Sequence, residues 1–556
     1  MKVKLLLSFS LLIFSNHFFS QAPSWLWAKN PSGSSVDQVN AIATDASGNV
    51  YATGFYDGPA TAFGTTTLTN STGWRDVFVT KYNSAGNPIW AVGTGGNGNG
   101  DREGLSIAID ANGNSYISGY FTTSNFVIGT TTLTNSGQED IFIAKFDPNG
   151  NPLWAKKAGG SSYDRGVSIT TDPSGNVFLT GYFLSNSVTF GTYTLSSATG
   201  QQMFTVKYDT NGNVLWAHTP AATSGNYARC VVSDASGNAY VCGNYGGLIQ
   251  FGTNSYIPTD GIDYFIVKYG PSGNILWSTS DGHQSFGICL DASNNLFITG
   301  SFNTPTLAIG SNTFTNTGTG DDIFIAKYNS TGNVAWAKSA GGSNVDAGFG
   351  VSADANGNVY MMGQYASSVI AIGTSTLSNA GPTGTSWDLF IAGYSASGNP
   401  LWATSINGNK SELVSSGKCI SVNAAGNIFI GGAFASSTVA LGTTTLTNSG
   451  PANVFDNLLA KMGSVTLGES EISPFNSDVF QIFPNPAEGK FHLTLPPDGN
   501  SCHIIILNSL GQTVFQQKTN NLINETDISL LPKGIYYVHV TDEQSHLSEV
   551  KKLIIQ

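Results

Sequence analysis

The sequence predicts an all-β protein, and three observations carry that reading. A tryptophan returns at Trp27, Trp90, Trp154, Trp216, Trp277, Trp336 and Trp402, an interval of roughly 60 residues that marks an internal repeat. Each unit is made of short runs rich in Val, Ile, Phe and Tyr with apolar residues at every second position, as in Val50 to Phe55 and Asp76 to Tyr82; this is the pattern of a strand with one buried face. The runs are parted by turns that open on Asp or Asn and close on Gly-Asn. There the Asp side chain accepts local N–H groups, and Gly supplies the positive φ of a bulged hairpin. No sustained helical period follows the first 20 residues.

Each unit has the same order of parts. After the Trp comes a Gly-rich stretch such as Gly159-Gly160-Ser161, then an apolar run, a first turn of the form Asp-x-x-Gly-Asn, and an aromatic run. A polar loop carrying Gly-Thr-x-Thr-Leu follows, then Asp-x-Phe-x-x-Lys-Tyr, then a second turn that delivers the next Trp. First turns start at Asp45, Asp110, Asp172, Asp234, Asp291, Asp354 and Asn423. Second turns start only at Asn83, Asp147, Asp209, Gly270, Asn329 and Ser395. The last unit thus lacks a fourth strand, while the chain begins with an orphan Trp strand at Ser24 to Ala28. A strand that completes the final sheet closes a ring and leaves only short protected edges. The expected architecture is a seven-bladed β-propeller of four-stranded blades over residues 23–462, closed by the N-terminal strand. A linker over 463–477 and a small C-terminal β-sandwich over 478–556 follow it.

Composition limits the partners. Charged residues make up 10% of the 556 and the net charge is −12, with no basic run, so nucleic acid and anionic membranes are excluded as expected partners. Lys2 and Lys4 followed by apolar Leu5 to Phe19 read as a signal peptide over residues 1–20. No segment is long and apolar enough for a transmembrane helix. The cysteines Cys230, Cys242, Cys289, Cys419 and Cys502 are too few and too scattered for a disulfide scaffold. Cys230 and Cys242 flank one hairpin and are placed to face each other, either as a disulfide or as two small buried residues.

The repeat Asp-x-x-Gly-Asn-x-Tyr-x-x-Gly followed by Asp-x-Phe-x-x-Lys resembles the bacterial seven-bladed β-propeller repeat family, a resemblance that implies architecture and no catalytic residue. The tail resembles the type A C-terminal sorting domain of the type IX secretion system. The matching residues are Pro484, Asn485, Pro486 and Gly489, the Leu510-Gly511 turn, Leu531 to Tyr536 with Gly534 and Tyr536, and the basic-then-apolar end with Lys551 and Lys552. That resemblance implies export by the type IX machinery and a secreted or outer-surface location.

No catalytic set stands out. The seven histidines show no metal-ligand spacing. The first-turn Asp residues are expected to close turns; calcium is the alternative occupant of their oxygens, and no other cofactor is implied. Lys81, Lys145, Lys207, Lys268, Lys327 and Lys461 are expected to pair with the Asp five residues earlier, as in Asp76 and Lys81. Function in a repeat protein sits where copies differ. The candidate ligand-binding residues are therefore Asp101 and Arg102, Asp164 and Arg165, and Arg229, with the extra tryptophans Trp74 and Trp387, which can stack on a sugar or anchor a protein contact. The expected function is a monomeric surface module that binds an extracellular glycan or protein, in adhesion. The alternative is a polysaccharide hydrolase or lyase with paired carboxylates on one face.

Overall fold

The computed structural model describes residues 21–94, 98–197, 200–259, 261–382, 384–414, 417–451, 454–464, 480–495, 501–508, 513–519, 523–542 and 548–556. The signal-peptide reading falls outside them, as does most of the expected linker. The chain divides into two compact units, Met1–Thr466 and Leu467–Gln556. All regular structure among the described residues is β.

The first unit is a succession of blade-like antiparallel sheets. Sheet 1 consists of Asp37–Thr44, Val50–Tyr56, Asp76–Tyr82 and Pro88–Gly93, hydrogen-bonded in that order. The same meander repeats in the sheets that start at Arg102, Asp164, Asn226, Gln284 and Asp346. The last sheet takes Glu412–Leu413, Ile420–Val422, Asn427–Phe434 and Asp456–Ser464 from its own part of the chain and Trp25–Lys29 from the N-terminus. Trp27 lies opposite Lys461 and Ala28 opposite Ala460, as the count of turns predicts. Neighbouring sheets pack face to face. One core joins Val39, Ile42 and Phe78 of sheet 1 to Phe429 and Leu459 of the last sheet, and another joins Val77 and Val79 to Ile117, Phe126 and Phe142 of sheet 2.

Two local expectations are corrected. The Gly-Thr-x-Thr-Leu stretch, read as a polar loop, is a small hairpin such as Asn125–Ile128 with Thr131–Thr134. Its alternate residues Phe126, Ile128 and Leu133 are buried against the parent sheet, so its Thr-rich outer face concealed a strand signal. The repeated lysines do not pair with the Asp five residues earlier. An odd separation in a strand puts two side chains on opposite faces, and four of the six lysines pair with the first-turn Asp instead: Lys207 to Asp172 at 3.1 Å, Lys327 to Asp291 at 3.3 Å, Lys268 to Asp234 at 3.7 Å and Lys81 to Asp45 at 3.8 Å.

The repeated Trp has a defined job. Its indole N–H donates to a carbonyl in the second turn of the next sheet: Trp90 to Pro148 at 3.0 Å, Trp154 to Thr210 at 3.2 Å, Trp216 to Pro271 at 3.1 Å, Trp277 to Ser330 at 3.3 Å and Trp336 to Ala396 at 3.1 Å. Trp27, on the closing strand, donates to Ser84 of sheet 1 at 3.1 Å. Trp402 precedes the one sheet that lacks a second turn, and its buried Nε1 finds no acceptor among the described residues. The glycine of each second turn is required twice over. At Gly150 φ is +85°, and a Cβ there would press on the Trp90 ring at 2.9 Å.

In the second unit the strands pair in the order Thr513–Thr519, Cys502–Asn508, Gly534–Asp542, Ser548–Ile555, Gln481–Glu488, Lys490–Thr494 and Ile523–Asp527. Phe491 and Leu493 share one core with Ile504, Val538 and Leu553 from the other end of that path. Asn485 ties the Pro-Asn-Pro segment to the last strand: its Nδ2 donates to Lys552 O at 2.6 Å and its Oδ1 accepts from Ile554 N at 2.9 Å.

Trp154→Phe removes an indole hydrogen bond and is expected to lower stability by about 1 kcal/mol, whereas Trp402→Phe, which loses none, should be close to neutral. Gly150→Ala, strained and crowded, should cost more than Trp154→Phe. Urea unfolding midpoints of the three variants check this order.

Candidate functional site

The two ends of the sheets differ in kind. One end carries the first and second turns, and its side chains are committed to the repeat. Asp45 Oδ1 accepts from Ser47 N and Asn49 N at 3.0 and 2.9 Å, and its Oδ2 from Asn49 Nδ2 at 2.8 Å. The oxygens offered to calcium by sequence thus already serve the turn. Each lysine also lies over an aromatic ring of its own sheet, as Lys81 over Tyr51 at 4.7 Å and Lys268 over Tyr240 at 4.5 Å.

The other end carries the connections between sheets, and here the copies diverge. The residue before the third strand is Arg75, Glu139, Gln201, Ile262, Asp321, Trp387 or Phe455 in successive sheets. Arg75 pairs with Glu103 and lies over the Phe55 ring at 4.3 Å. Arg165 makes a two-pronged bond to Glu139, Nε to Oε2 at 2.5 Å and Nη2 to Oε1 at 2.7 Å, and lies 4.2 Å above the Tyr120 ring. Tyr182 meets Tyr227 edge to face at 6.5 Å. Arg229 lies over Tyr227 at 4.6 Å and over Phe286 at 5.3 Å, and Phe286 stacks on Phe349 at 4.8 Å. The contacts run on from one sheet to the next, so these side chains form a belt of alternating guanidinium, carboxylate and aromatic groups. Arg75, Arg165, Tyr182, Tyr227, Arg229, Phe286 and Phe349 all keep part of their surface exposed.

Electrostatics tighten the belt. Burial opposes the Arg165 charge, but the Glu139 bond and the neighbouring Tyr182 more than offset it and hold the guanidinium above its usual value. Burial, with Glu103 alongside, pushes the Tyr120 hydroxyl well above the usual tyrosine range.

The sequence-predicted residues divide on this frame. Arg165 and Arg229 sit in the belt. Asp101 caps its start, accepting the Arg75 N–H at 3.1 Å. Trp74, 44% exposed, is the residue before Arg75. Arg102 and Asp164 are corrected: both are fully buried. As the leading residues of inner strands they turn into the gap between sheets, while Glu103 and Arg165, one position on, turn outward. Arg102 faces Asp76 at 3.6 Å; Asp164 accepts from Gly160 N and Ser185 Oγ, each at 2.7 Å. Trp387 is half-buried and lies on sheet 6, away from Trp74. Its neighbours Ser386 and Ser411 line a separate cleft of about 280 Å³ with Pro382, Lys410 and Phe455. Sequence reasoning missed Arg75, Glu139, Tyr120, Tyr182, Tyr227, Phe286 and Phe349. The signal was present, because these positions vary from copy to copy while their neighbours repeat.

Among the described residues no three His, Cys, Asp or Glu side chains are grouped to hold a metal. Cys230 and Cys242 lie directly opposite on paired strands, both as free, buried thiols.

In the tail, Asn485 and the exposed Lys552 are joined through the backbone bond described above. Lys551 Nζ bonds Phe480 O and lies over the Phe480 ring at 5.1 Å. Tyr536 Oη donates to Pro532 O at 2.8 Å. Pro484 and Pro486 are exposed, Gly489 holds φ at +71°, and Gly534 pairs with Ile555.

Comparison with known proteins adds the following. Residues 481–556 match the family described as the secretion system C-terminal sorting domain, and residues 153–182 match the β-propeller repeat family. The chain therefore carries a β-propeller repeat and, at its C-terminal end, a sorting domain. Its tail is a sorting domain of the type IX secretion system, which places it at the outer cell surface or in the extracellular space. An uncharacterized WD repeat-containing protein of Acanthamoeba polyphaga mimivirus is 27% identical over 404 residues, which are 62% of this chain but only 25% of that relative. Among solved structures, PorZ, an essential bacterial surface component of the type IX secretion system of Porphyromonas gingivalis, aligns at 12% identity and TM-score 0.34, over 92% of this chain and 58% of PorZ. An apocarotenoid oxygenase from Synechocystis aligns at 9% identity and TM-score 0.36, over 80% of this chain and 95% of that one. Likenesses of that strength carry no argument about activity.

Arg102→Ala leaves Asp76 buried without its counter-charge and is expected to cost about 3–5 kcal/mol. Arg165→Ala, at a half-exposed pair, should cost about 1–3 kcal/mol. Denaturant titration of the two variants separates a seam residue from a belt residue.

Proposed function

We propose that the first unit is a seven-bladed propeller acting as an extracellular binding module for a glycan, exported by way of its N-terminal signal peptide and C-terminal sorting domain. The last sheet, shared between the two ends of residues 23–462, supports the blade count. The single apolar core drawn from both ends of the tail's strand path supports a sandwich over 478–556.

The observation that carries the binding role is the belt. Half-exposed tyrosines and phenylalanines offer faces on which a sugar ring stacks. The Arg–Glu pairs beside them present fixed donors and acceptors for hydroxyls, with charges already neutralised. Trp74 extends the apolar surface at one end. Convergent polar groups on an aromatic floor are the general form of a small-ligand site. The belt occupies the end of the sheets where backbone bonds join one sheet to the next. A role in adhesion follows from a surface location together with such a site.

The hydrolase or lyase reading is weaker. It needs two carboxylates open to substrate, whereas Asp388 with Glu412 and Asp322 with Asp346 lie buried between sheets.

Glycan-array binding of the full mature chain, with Arg165→Ala, Tyr227→Ala, Trp74→Ala and Trp387→Ala variants, tests the proposal. Arg165→Ala and Tyr227→Ala should weaken binding at least about tenfold, the loss of roughly one stacked or charge-assisted contact. Trp387→Ala should leave it unchanged. No glycan bound, or equal binding by all four variants, overturns the assignment.

A further inference from the structure

The gaps between sheets hold a second repeated element, at the end opposite the Trp network. The N–H of Asp37, Arg102, Asp164, Asn226, Asp346 and Glu412 donates to the carbonyl of Phe455, Arg75, Glu139, Gln201, Asp321 and Trp387 respectively, at 2.7–3.1 Å. Each accepting residue immediately precedes the first residue of a third strand. The bond therefore brings the leading side chain of one sheet against Asp456, Asp76, Asp140, Gln202, Asp322 or Asp388 of its neighbour.

Three of these gaps balance their own charge or polarity. Arg102 faces Asp76 at 3.6 Å, Asn226 Nδ2 donates to Gln202 Oε1 at 2.9 Å, and Lys157 bonds the Asp140 of the Asp140–Asp164 pair at 2.8 Å. The other three oppose two acids: Asp322 with Asp346, Asp388 with Glu412, and Asp456 with Asp37. All six are buried, and among the described residues no basic side chain forms an ion pair with any of them.

Asp388 and Glu412 show what resolves the conflict. Asp388 Oδ2 accepts from Ala380 N at 2.8 Å and Glu412 Oε1 from Ser436 Oγ at 2.5 Å. Asp388 Oδ1 and Glu412 Oε2 have no protein donor, and the bond from Glu412 N to Trp387 O at 2.7 Å sets the two buried residues side by side. Each acid thus keeps one free oxygen. Two unscreened negative charges cannot persist in such contact. A calcium ion needs six to eight oxygens, and this gap offers two. One proton needs two. On the closing gap, Asp456 Oδ1 is likewise without a donor, while Asp37 is held by Gly33 N at 2.6 Å and Thr61 Oγ1 at 3.2 Å.

We propose that Asp388 and Glu412 share one proton at neutral pH, as an O–H···O⁻ bond between Glu412 Oε2 and Asp388 Oδ1. The ring is thereby fastened in part by a proton, which alkaline solution removes.

The surroundings agree. Burial, then the neighbouring Asp388, raises Glu412 above the usual carboxylate range, and burial raises Asp388. Tyr365 faces that pair, with Asp346 also beside Tyr365, and Lys410 lies on the adjoining cleft. Burial pushes Asp37 up to about 8; the Gly33 and Thr61 hydrogen bonds oppose this, and Asp456 and Asp57 add to it. Tyr56 also faces Asp37, with Asp76 and Arg102 beyond it. A carboxyl raised on folding takes up a proton on folding. Its stabilisation is complete below the unfolded carboxyl value and is lost as pH rises through the folded one.

Thermal unfolding of the full mature chain in EDTA, followed from about pH 5 to pH 9, provides the test. The midpoint should fall with rising pH, the folded-to-unfolded ratio dropping up to about tenfold per pH unit for each proton held. Glu412→Gln supplies a permanent donor, so it should remove one proton from that slope and reduce the infrared carbonyl band of protonated carboxyl at neutral pH. Asp388→Asn, on the other side of the same bond, carries the same readouts if Glu412→Gln does not fold. An unchanged slope in both variants overturns the proposal. So does a wild-type midpoint that EDTA lowers and calcium restores, since a cation would then balance the charge.

Discussion

The ring depends on one contact, made at every junction but the one after Trp402: the indole of one sheet docked on the second turn of the next. It explains the two most regular features of the sequence together. The Trp recurs because it must span the gap and donate to the turn carbonyl, and Gly recurs in the turn because a Cβ at Gly150 would press on the indole of Trp90. The lysine of the third strand reaches the same carbonyls: Lys145 bonds Thr210 O at 3.3 Å and Lys461 bonds Ser84 O at 3.0 Å. Indole, ammonium and turn are thus one unit shared by two sheets, and no sheet completes it alone. That is why the N-terminal strand must join the last sheet. Without Trp27, the second turn of sheet 1 would lack its indole and Asp456–Ser464 would lie open as an edge.

Much of this was legible in the chain. Counting first and second turns sufficed to place Trp25–Lys29 on the last sheet, because a missing strand at one end and a spare strand at the other leave one arrangement. The partner of each Trp was not legible, since it lies more than 50 residues away on a neighbour. The lysine pairing was misassigned for a related reason. Asp76 is near Lys81 in sequence, but strand alternation sends the two to different faces, and Asp45, distant in sequence, is near in space. The small hairpins were hidden by composition, their outward Thr residues masking inward Phe and Leu.

The candidate site was half legible. Arg165 and Arg229 stood out as charges absent from other copies. Arg102 stood out equally, and Asp164 through its neighbour Arg165, yet both are interior, and one residue of register decides between the two fates. Tyr120, Tyr182 and Tyr227 vary from copy to copy, but they were passed over because aromatic residues are common throughout the repeat. Only the register that sets Tyr120 opposite Glu103, and Tyr182 opposite Arg165, shows which of them face the connections.

The two ends of the sheets therefore answer to different demands. At the turn end the Trp indole and the third-strand Lys complete bonds that span two copies, so a change in one copy damages its neighbour, and the copies stay alike. At the connection end the backbone bond between sheets, such as Asp37 N to Phe455 O at 2.8 Å, fixes the geometry without the side chains. Those side chains are then free to differ, and they do so in two layers. The inner layer balances buried charge in several ways, by Arg with Asp, by Asn with Gln, and by acid with acid. The outer layer, which includes Glu103, Arg165 and Tyr227 one residue further along their strands, is the belt. A ring whose shape rests on backbone and turns can vary its outer layer without unfolding, and a surface that varies on a fixed frame is what a binding module requires.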